Sequence, residues 1–259
     1  MSDLNIEIQN LLQLAKATAL EAGAYLRSRK VESSDVISSI GKDVKLKDDI
    51  QSEAIIIRRL TEKSELAILS EEKGWVGNRR NGLRWIIDPL DGSMNFLREI
   101  PMTCLSIGLW NDRQPVFGVI YDFNRNELFS GMVGSGAWLN DKSIRVSSTE
   151  SMQQAILSTG FPSKMNFARE NLEGFISEIQ AYKKIRMIGS SALSLAYVAS
   201  GRVDAYYEND IMLWDVAGGI PIVLGAGGSV LFDETNQSEF SLRVFASNGV
   251  ISQPVNRVK

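Results

Sequence analysis

Trp85-Ile86-Ile87-Asp88-Pro89-Leu90-Asp91-Gly92-Ser93 is the stretch on which the reading of this chain turns. A hydrophobic run ends on Asp88. Pro89 fixes φ and removes a donor, and Asp91-Gly92 forces a tight turn. The pattern predicts a strand that stops abruptly and sets two carboxylates close together at its end. Two such anions ~4 Å apart repel by roughly 4 kcal/mol at an effective dielectric of 20. A proton, a basic side chain or a metal ion must offset that repulsion. The Gly-Ser-Met-Asn continuation can present backbone N–H groups to an anion, as a helix N-terminus does. Read alone, the same residues also suit a plain Pro/Asp-Gly turn.

Short β-like runs surround this stretch: LAILS from Leu66, TCLSIGLW, PVFGVIYD and ELFSGMV, separated by turn residues. They predict an antiparallel meander over about residues 84–147. Further on, AILST, KIRMI, VDAYY, GSVLF and RVFAS alternate with helical stretches near 166–182, 190–200 and 215–226, as in a second sheet of α/β type. Upstream, Leu4, Ile8, Leu11, Ala15, Ala19, Ala22 and Leu26 fall on one face of an amphipathic helix. A second helix is predicted from about Asp48 through Leu60, preceded by a short strand or hairpin containing Val44 and Leu46. Pro221 falls inside the last predicted helix and should kink it or delay its start. No Pro-, Gly- or Ser-rich linker divides the 259 residues. The expectation is therefore one compact unit over 1–259, with an antiparallel half over 1–147 and an α/β half over 148–259.

Composition narrows the chemistry. The sequence contains no histidine and one cysteine, Cys104. Serine–histidine and cysteine–histidine catalysis, histidine bases, His-containing zinc sites, Cys₄ zinc sites and iron–sulfur clusters are all excluded. Net charge is −3, so no global basic field draws the chain to nucleic acid or anionic lipid. The N-terminus lacks a signal peptide and no long apolar run appears, which leads to the expectation of a reducing cytoplasm and no membrane partner.

Three further segments carry carboxylates. Ser70-Glu71-Glu72 follows a strand-like run, where a side chain can point into a cleft. Trp214-Asp215-Val216-Ala217-Gly218-Gly219 reads as an aspartate N-cap before small residues. In Lys45-Leu46-Lys47-Asp48-Asp49-Ile50-Gln51-Ser52-Glu53, Asp48 or Asp49 is a natural N-cap, and Asp49 and Glu53 share a helix face. Each segment alone has an ordinary structural reading. Together they supply oxygen ligands without nitrogen or sulfur, the set chosen by Mg²⁺, Mn²⁺ or Ca²⁺.

In that order, these segments resemble the inositol monophosphatase family of metal-dependent, lithium-sensitive phosphatases. The family's W-[IV]-[IV]-D-P-[IL]-D-G-[TS]-x-N-F pattern stands at Trp85–Phe96. Its S-E-E element stands at Ser70–Glu72 and its W-D-x-A-[AG]-[AG] element at Trp214–Gly219. The upstream acidic motif stands at Asp43–Glu53, and Gly189–Ala192 and Asp204–Glu208 match two further family segments. The resemblance implies an αβαβα layered sandwich and usually a homodimer. It implies two or three Mg²⁺ ions, with Mn²⁺ as a substitute, on Glu71, Asp88, the Leu90 carbonyl, Asp91 and Asp215. Gly92 and Ser93 would offer N–H groups to phosphate, and Asp49 with the Ser93 hydroxyl would orient and deprotonate the attacking water. Gly189, Ser190, Ser191 and Glu208 would line the pocket for the alcohol. The implied substrate is a small phosphorylated polyol or sugar, inositol monophosphate first. Fructose 1,6-bisphosphate, histidinol phosphate and 3′-phosphoadenosine nucleotides are the alternatives, as is a low-turnover regulatory protein on the same scaffold. The chain departs from the pattern at Ser93 (usually Thr), Met212 (often His), Leu46 (usually Thr, here between Lys45 and Lys47) and Pro221.

Overall fold

The computed structural model describes residues 2–30, 32, 35–40, 43–78, 81–161 and 168–252. The chain runs α1 (Ser2–Ser28), β1 (Val36–Ile40), β2 (Asp43–Leu46), α2 (Lys47–Thr61), β3 (Ala67–Ser70), β4 (Gly74–Val76) and β5 (Leu83–Asp91). It continues through α3 (Ser93–Leu97), β6 (Cys104–Asn111), β7 (Gln114–Asp122), β8 (Glu127–Met132), β9 (Gly136–Leu139) and β10 (Lys142–Ser143). The remainder is β11 (Ile156–Thr159), α4 (Arg169–Gln180), β12 (Lys184–Arg186), α5 (Ser191–Ala199), β13 (Ala205–Met212), α6 (Leu213–Ala217), α7 (Gly219–Gly225), β14 (Ser229–Glu234) and β15 (Ser241–Ser247).

These elements stack in five layers. An eight-stranded sheet has the order β10-β9-β8-β7-β6-β5-β3-β4, antiparallel except where β3 runs parallel to β5. One face buries the apolar stripe of α1, with Ala15, Ala19, Ala22 and Leu26, beneath α2 and the β1–β2 hairpin. The other face carries α5, α6 and α7, which also pack on a five-stranded sheet of order β12-β11-β13-β15-β14. The far side of that sheet holds a small cluster, including Leu157, Tyr207 and Phe245, capped by Ile179 of α4. This is the α/β sandwich the sequence leads one to expect. Residues 166–167 of the helix expected near 166–182 lie outside the described residues.

The helix expected over 215–226 is two helices. α6 ends at Ala217, Gly218 joins, and α7 begins at Gly219. Pro221 is thus the third residue of α7, where a helix provides no partner for an N–H. The Ala217 carbonyl, four residues before Pro221 and outside α7, accepts the Trp110 indole N–H at 2.9 Å. The junction lies unusually close to the sheet. Gly108, Gly118 and Gly131 are side-by-side partners on β6, β7 and β8. A Cβ on Gly108 would stand 2.6 Å from the Ala217 oxygen, and one on Gly118 only 1.8 Å from the Gly218 oxygen. One on Gly131 would stand 2.6 Å from the Ile222 Cα. Three missing side chains form the trough in which α6 and α7 rest.

Candidate active site

The end of β5 is irregular in a way that brings its two aspartates together. Asp88 pairs with Ser106 and Asp91 with Cys104, so Pro89 and Leu90 stand opposite the single residue Leu105. This is a β-bulge, and a proline without an N–H is tolerated there. The extra residue resets the alternation of side chains. Trp85, Ile87 and Leu90 all join the core beneath α1. Asp88 and Asp91 both turn to the face covered by α5–α7. The bulge also frees carbonyls from the ladder: Pro89 accepts the Ser52 hydroxyl at 2.8 Å, and Leu90 accepts the Ser93 hydroxyl at 3.0 Å.

Three helices begin around this strand end, and each gives a backbone N–H to one aspartate. Asp49 is the third residue of α2 and accepts the Leu46 N–H on Oδ2 at 2.5 Å. Asp215 is the third residue of α6 and accepts the Met212 N–H on Oδ2 at 3.2 Å. Asp91 Oδ2 accepts the Ala192 N–H at the start of α5, and the Ser190 hydroxyl, both at 2.7 Å. Asp88 Oδ1 accepts the Leu90 N–H at 3.0 Å. The N-caps expected at Asp48 or Asp49 and at Asp215 are therefore Leu46 and Met212. The aspartates sit three residues later and reach back, which is half of a capping box. This geometry holds one oxygen and leaves the other for the site. The free oxygen of Asp49, Oδ1, accepts the Ser93 hydroxyl at 3.0 Å. Ser93 has one proton for two acceptors, Asp49 and the Leu90 carbonyl. When it goes to Asp49, the carbonyl keeps a lone pair for another partner.

The helix N-termini do not neutralise the cluster. Loss of water raises Asp49 to about 7, with Glu72 and Asp48 adding repulsion against the hydrogen bonds from Leu46 and Ser93. Glu71 keeps an exposed outer edge, yet its carboxyl is recessed, and desolvation followed by the Glu72 and Asp49 charges raises it to about 8. Burial lifts Asp91 to about 6 despite its three donors. Asp88 and Asp215 are pushed well above the carboxylate range by burial, then by Glu71, Asp91 and each other's neighbourhood. Among the described residues, no basic side chain forms an ion pair with Asp88, Asp91 or Asp215.

The remaining expected residues gather at the same end. Gly92 has φ +91°, and a Cβ there would stand 2.9 Å from the Met102 oxygen and 3.2 Å from the Gly189 oxygen. Ser190 caps α5. Glu208 accepts the Tyr206 hydroxyl at 2.9 Å and the Ser191 hydroxyl at 3.3 Å, and burial raises it to about 7. Asn95, quoted in the motif without a role, ties these segments together. Its amide donates to the Met102 and Ile188 carbonyls, each at 2.9 Å. Two further acids of α2, read in the sequence as an N-cap candidate (Asp48) and as sharing a helix face with Asp49 (Glu53), are buried and tie neighbouring segments together. Glu53 takes the Ser70 hydroxyl and the Lys73 N–H, which fixes the turn that carries Glu71. Asp48 takes Tyr25 and Arg29 of α1.

This donor set suits a hard cation. Asp88, Asp91, Asp215, Glu71 and the Leu90 carbonyl offer only oxygens, each acid keeping an oxygen not committed to the backbone. Among the described residues, no three acidic or cysteine side chains close a coordination shell unaided. Carboxylates with no charge between them repel, so this spacing accords with acids that a cation would draw together.

Residues 7–256 match the model of the inositol monophosphatase family. The chain is 40% identical to the "Nus factor SuhB" of Xylella fastidiosa over 84% of its length and 79% of the relative's. It is 37% identical to the inositol-1-monophosphatase of Synechocystis over 97% of its length and 89% of the relative's. The solved inositol monophosphatase of Anabaena superposes with a TM-score of 0.78 at 36% identity, covering 94% of this chain and 92% of that one.

Proposed function

This chain belongs to the inositol monophosphatase family of metal-dependent phosphatases, and from that premise we propose that it hydrolyses a small phosphomonoester, inositol monophosphate first. The observation that carries this reading is the group Glu71, Asp88, Asp91 and Asp215 at the end of β5, whose three buried or recessed aspartates have no basic partner among the described residues. Glu71, Asp88, Asp91, Asp215 and the Leu90 carbonyl would hold Mg²⁺, with Mn²⁺ as a substitute. When bound, such ions polarise the phosphoryl oxygens, activate water and stabilise the departing alkoxide.

The chain's own groups do the rest. Ser93 Oγ accepts a proton from the attacking water while donating its own to Asp49 Oδ1. Asp49, held in place by the Leu46 N–H, is the carboxylate that takes up that proton. The N–H groups of Gly92 and Ser93 receive phosphate oxygens. Glu208, anchored by Tyr206 and Ser191, accepts hydroxyl donors of the alcohol. The family resemblance also implies a homodimer.

Phosphate release from a panel of small phosphomonoesters, with Mg²⁺ and with excess chelator, tests the reading. Turnover should need Mg²⁺ and be greatest on inositol monophosphate. Full activity in chelator, with no metal retained, would sink it. The name of the Xylella relative favours a second reading, a regulatory protein that keeps the scaffold. Metal uptake without turnover on any member of the panel would select that one.

A further inference from the structure

Two lysines flank Leu46 where the chain departs from the family pattern, and they point to different partners. Lys47 Nζ stands 3.5 Å from Asp35. Lys45, on β2, puts its ammonium directly against Glu72 Oε2. The Glu72 side chain is only 11% exposed, so this is not a loose surface pair. Glu72 adjoins Glu71, and its charge bears on both Glu71 and Asp49. The Lys45 ammonium in turn feels Glu72, Glu53 and Asp49. The site is therefore lopsided. The charges that bear on Asp88 and Asp215 are those of other acids, Glu71, Asp91 and Glu208 among them, and no basic side chain among the described residues pairs with either, whereas the rim at Asp49 and Glu71 has a cation beside it.

We propose that Lys45 is a resident cation of the acidic site: held by Glu72, its ammonium balances part of the charge around Asp49 and Glu71 and so weakens the binding of the divalent ion nearest those two residues. It is a positioning and charge-setting residue rather than a catalytic one. A primary ammonium suits the task because it is a compact point charge that stays protonated beside carboxylates. A divalent ion arriving at the rim meets the Lys45 charge, which cancels the attraction Glu72 would otherwise exert, while one arriving at Asp88 and Asp215 meets no paired basic group among the described residues. Uptake should accordingly occur in unequal steps, tight at the inner aspartates and weak at the rim.

The inference rests on the metal-binding reading above, and calorimetric titration of the metal-free full chain with Mn²⁺ separates the two. Lys45→Met should tighten the weakest step by about tenfold, the repulsion between a single and a double charge ~8 Å apart in a water-rich cleft. Lys45→Arg, which keeps the charge, should bind as wild type. Glu72→Gln should weaken that step, and the Lys45→Met/Glu72→Gln double variant should return it to within about threefold of wild type. If Lys45→Met does not fold, Lys45→Gln takes its place in the cycle, and the Glu72→Gln arm still decides. A Lys45→Met protein that binds Mn²⁺ no more tightly than wild type overturns the proposal, even if its melting temperature falls. Wild-type protein that takes up no Mn²⁺ overturns instead the reading beneath it.

Discussion

Asp48 and Asp49 are neighbours on the first turn of α2, both buried, and they occupy opposite electrostatic situations. Asp48 faces α1, where Arg29 Nε lies at 2.6 Å and the Tyr25 hydroxyl at 2.8 Å. Asp49 faces the strand end, where its donors are one backbone N–H and one serine hydroxyl. The same contrast recurs on the large sheet. Asp122 is fully buried and holds Arg125 at 2.8 Å with two backbone N–H groups. Asp88 is equally buried and takes the Leu90 N–H, with no basic side chain paired to it among the described residues. Acids with a cation supplied by the chain tie elements together. Acids without one are themselves held in place, at a cost to the metal-free fold.

That division can be broken most directly at the uncompensated acids. Asp88→Asn and Asp215→Asn should each lower kcat by about a thousandfold at saturating Mg²⁺, since each removes a charge a divalent ion needs. Relief of repulsion should leave their metal-free melting temperatures no lower than wild type. An Asp215→Asn protein that unfolds, while its soluble fraction turns over normally, would return Asp215 to the compensated class as a mere helix support. Ser93→Ala should cost about a hundredfold in kcat, the usual scale for losing a proton relay. Ser93→Thr should be neutral or gain two- to fivefold, because a β-methyl narrows the choice of χ1 at roughly 0.5–1 kcal/mol. Undiminished turnover in Ser93→Ala would detach Asp49 from water activation.

A third effect, intermediate in size, is read by pH. In the metal-free protein burial, with repulsion from neighbouring acids, pushes Asp91, Asp49, Glu208 and Glu71 up to about 6, 7, 7 and 8, all above their unfolded values near 4. The folded state then binds more protons than the unfolded one across that interval, so stability falls as pH rises from about 4 to about 8. Thermal melts at several pH values should show that decline in chelator, and saturating Mg²⁺ should flatten it. A metal-free protein as stable at pH 8 as at pH 5 would mean the acids are compensated after all. The smallest effect belongs to the other class. Asp122→Asn should lower stability by about 1–2 kcal/mol, because Arg125 is itself a third exposed, and leave kcat per folded molecule unchanged. A large loss of turnover there would blur the line between the two classes.

How much of this was legible beforehand follows the range of the forces involved. The strand through Trp85–Ile87, the stripe of α1 and the meander after Leu83 are local patterns, and periodicity reports them. The acidic set was legible through its motifs and its lack of nitrogen and sulfur ligands. The helix starts were misassigned because an aspartate at the first helical turn and one at the N-cap look alike in sequence; only backbone geometry shows Asp49 and Asp215 reaching back to Leu46 and Met212. Arg29 meets Asp48 across 19 residues and Lys45 meets Glu72 across 27, so which acids are compensated depends on tertiary contacts that no spacing encodes. The split at Gly218 was half visible in Pro221, but the indole that satisfies the Ala217 carbonyl lies 107 residues away.

The row Gly108, Gly118 and Gly131 fixes the height of Asp215 above the sheet by leaving side chains out, and this makes an unusual kind of heritable constraint. Most buried positions tolerate a neighbour of similar volume. Here every alternative amino acid, alanine included, adds the same forbidden atom. At Gly118 it would lift the α6–α7 junction by ~1.5 Å to reach ordinary contact. A shift of that size at a reacting centre is worth about a hundredfold in rate. In a saturation library, Gly118 should stand out as a position where no substitution retains activity, although it touches none of the chemistry. Drift in substrate can remodel the rim around Glu208 and Met212 residue by residue, but the floor beneath Asp215 offers no intermediate step by which to move.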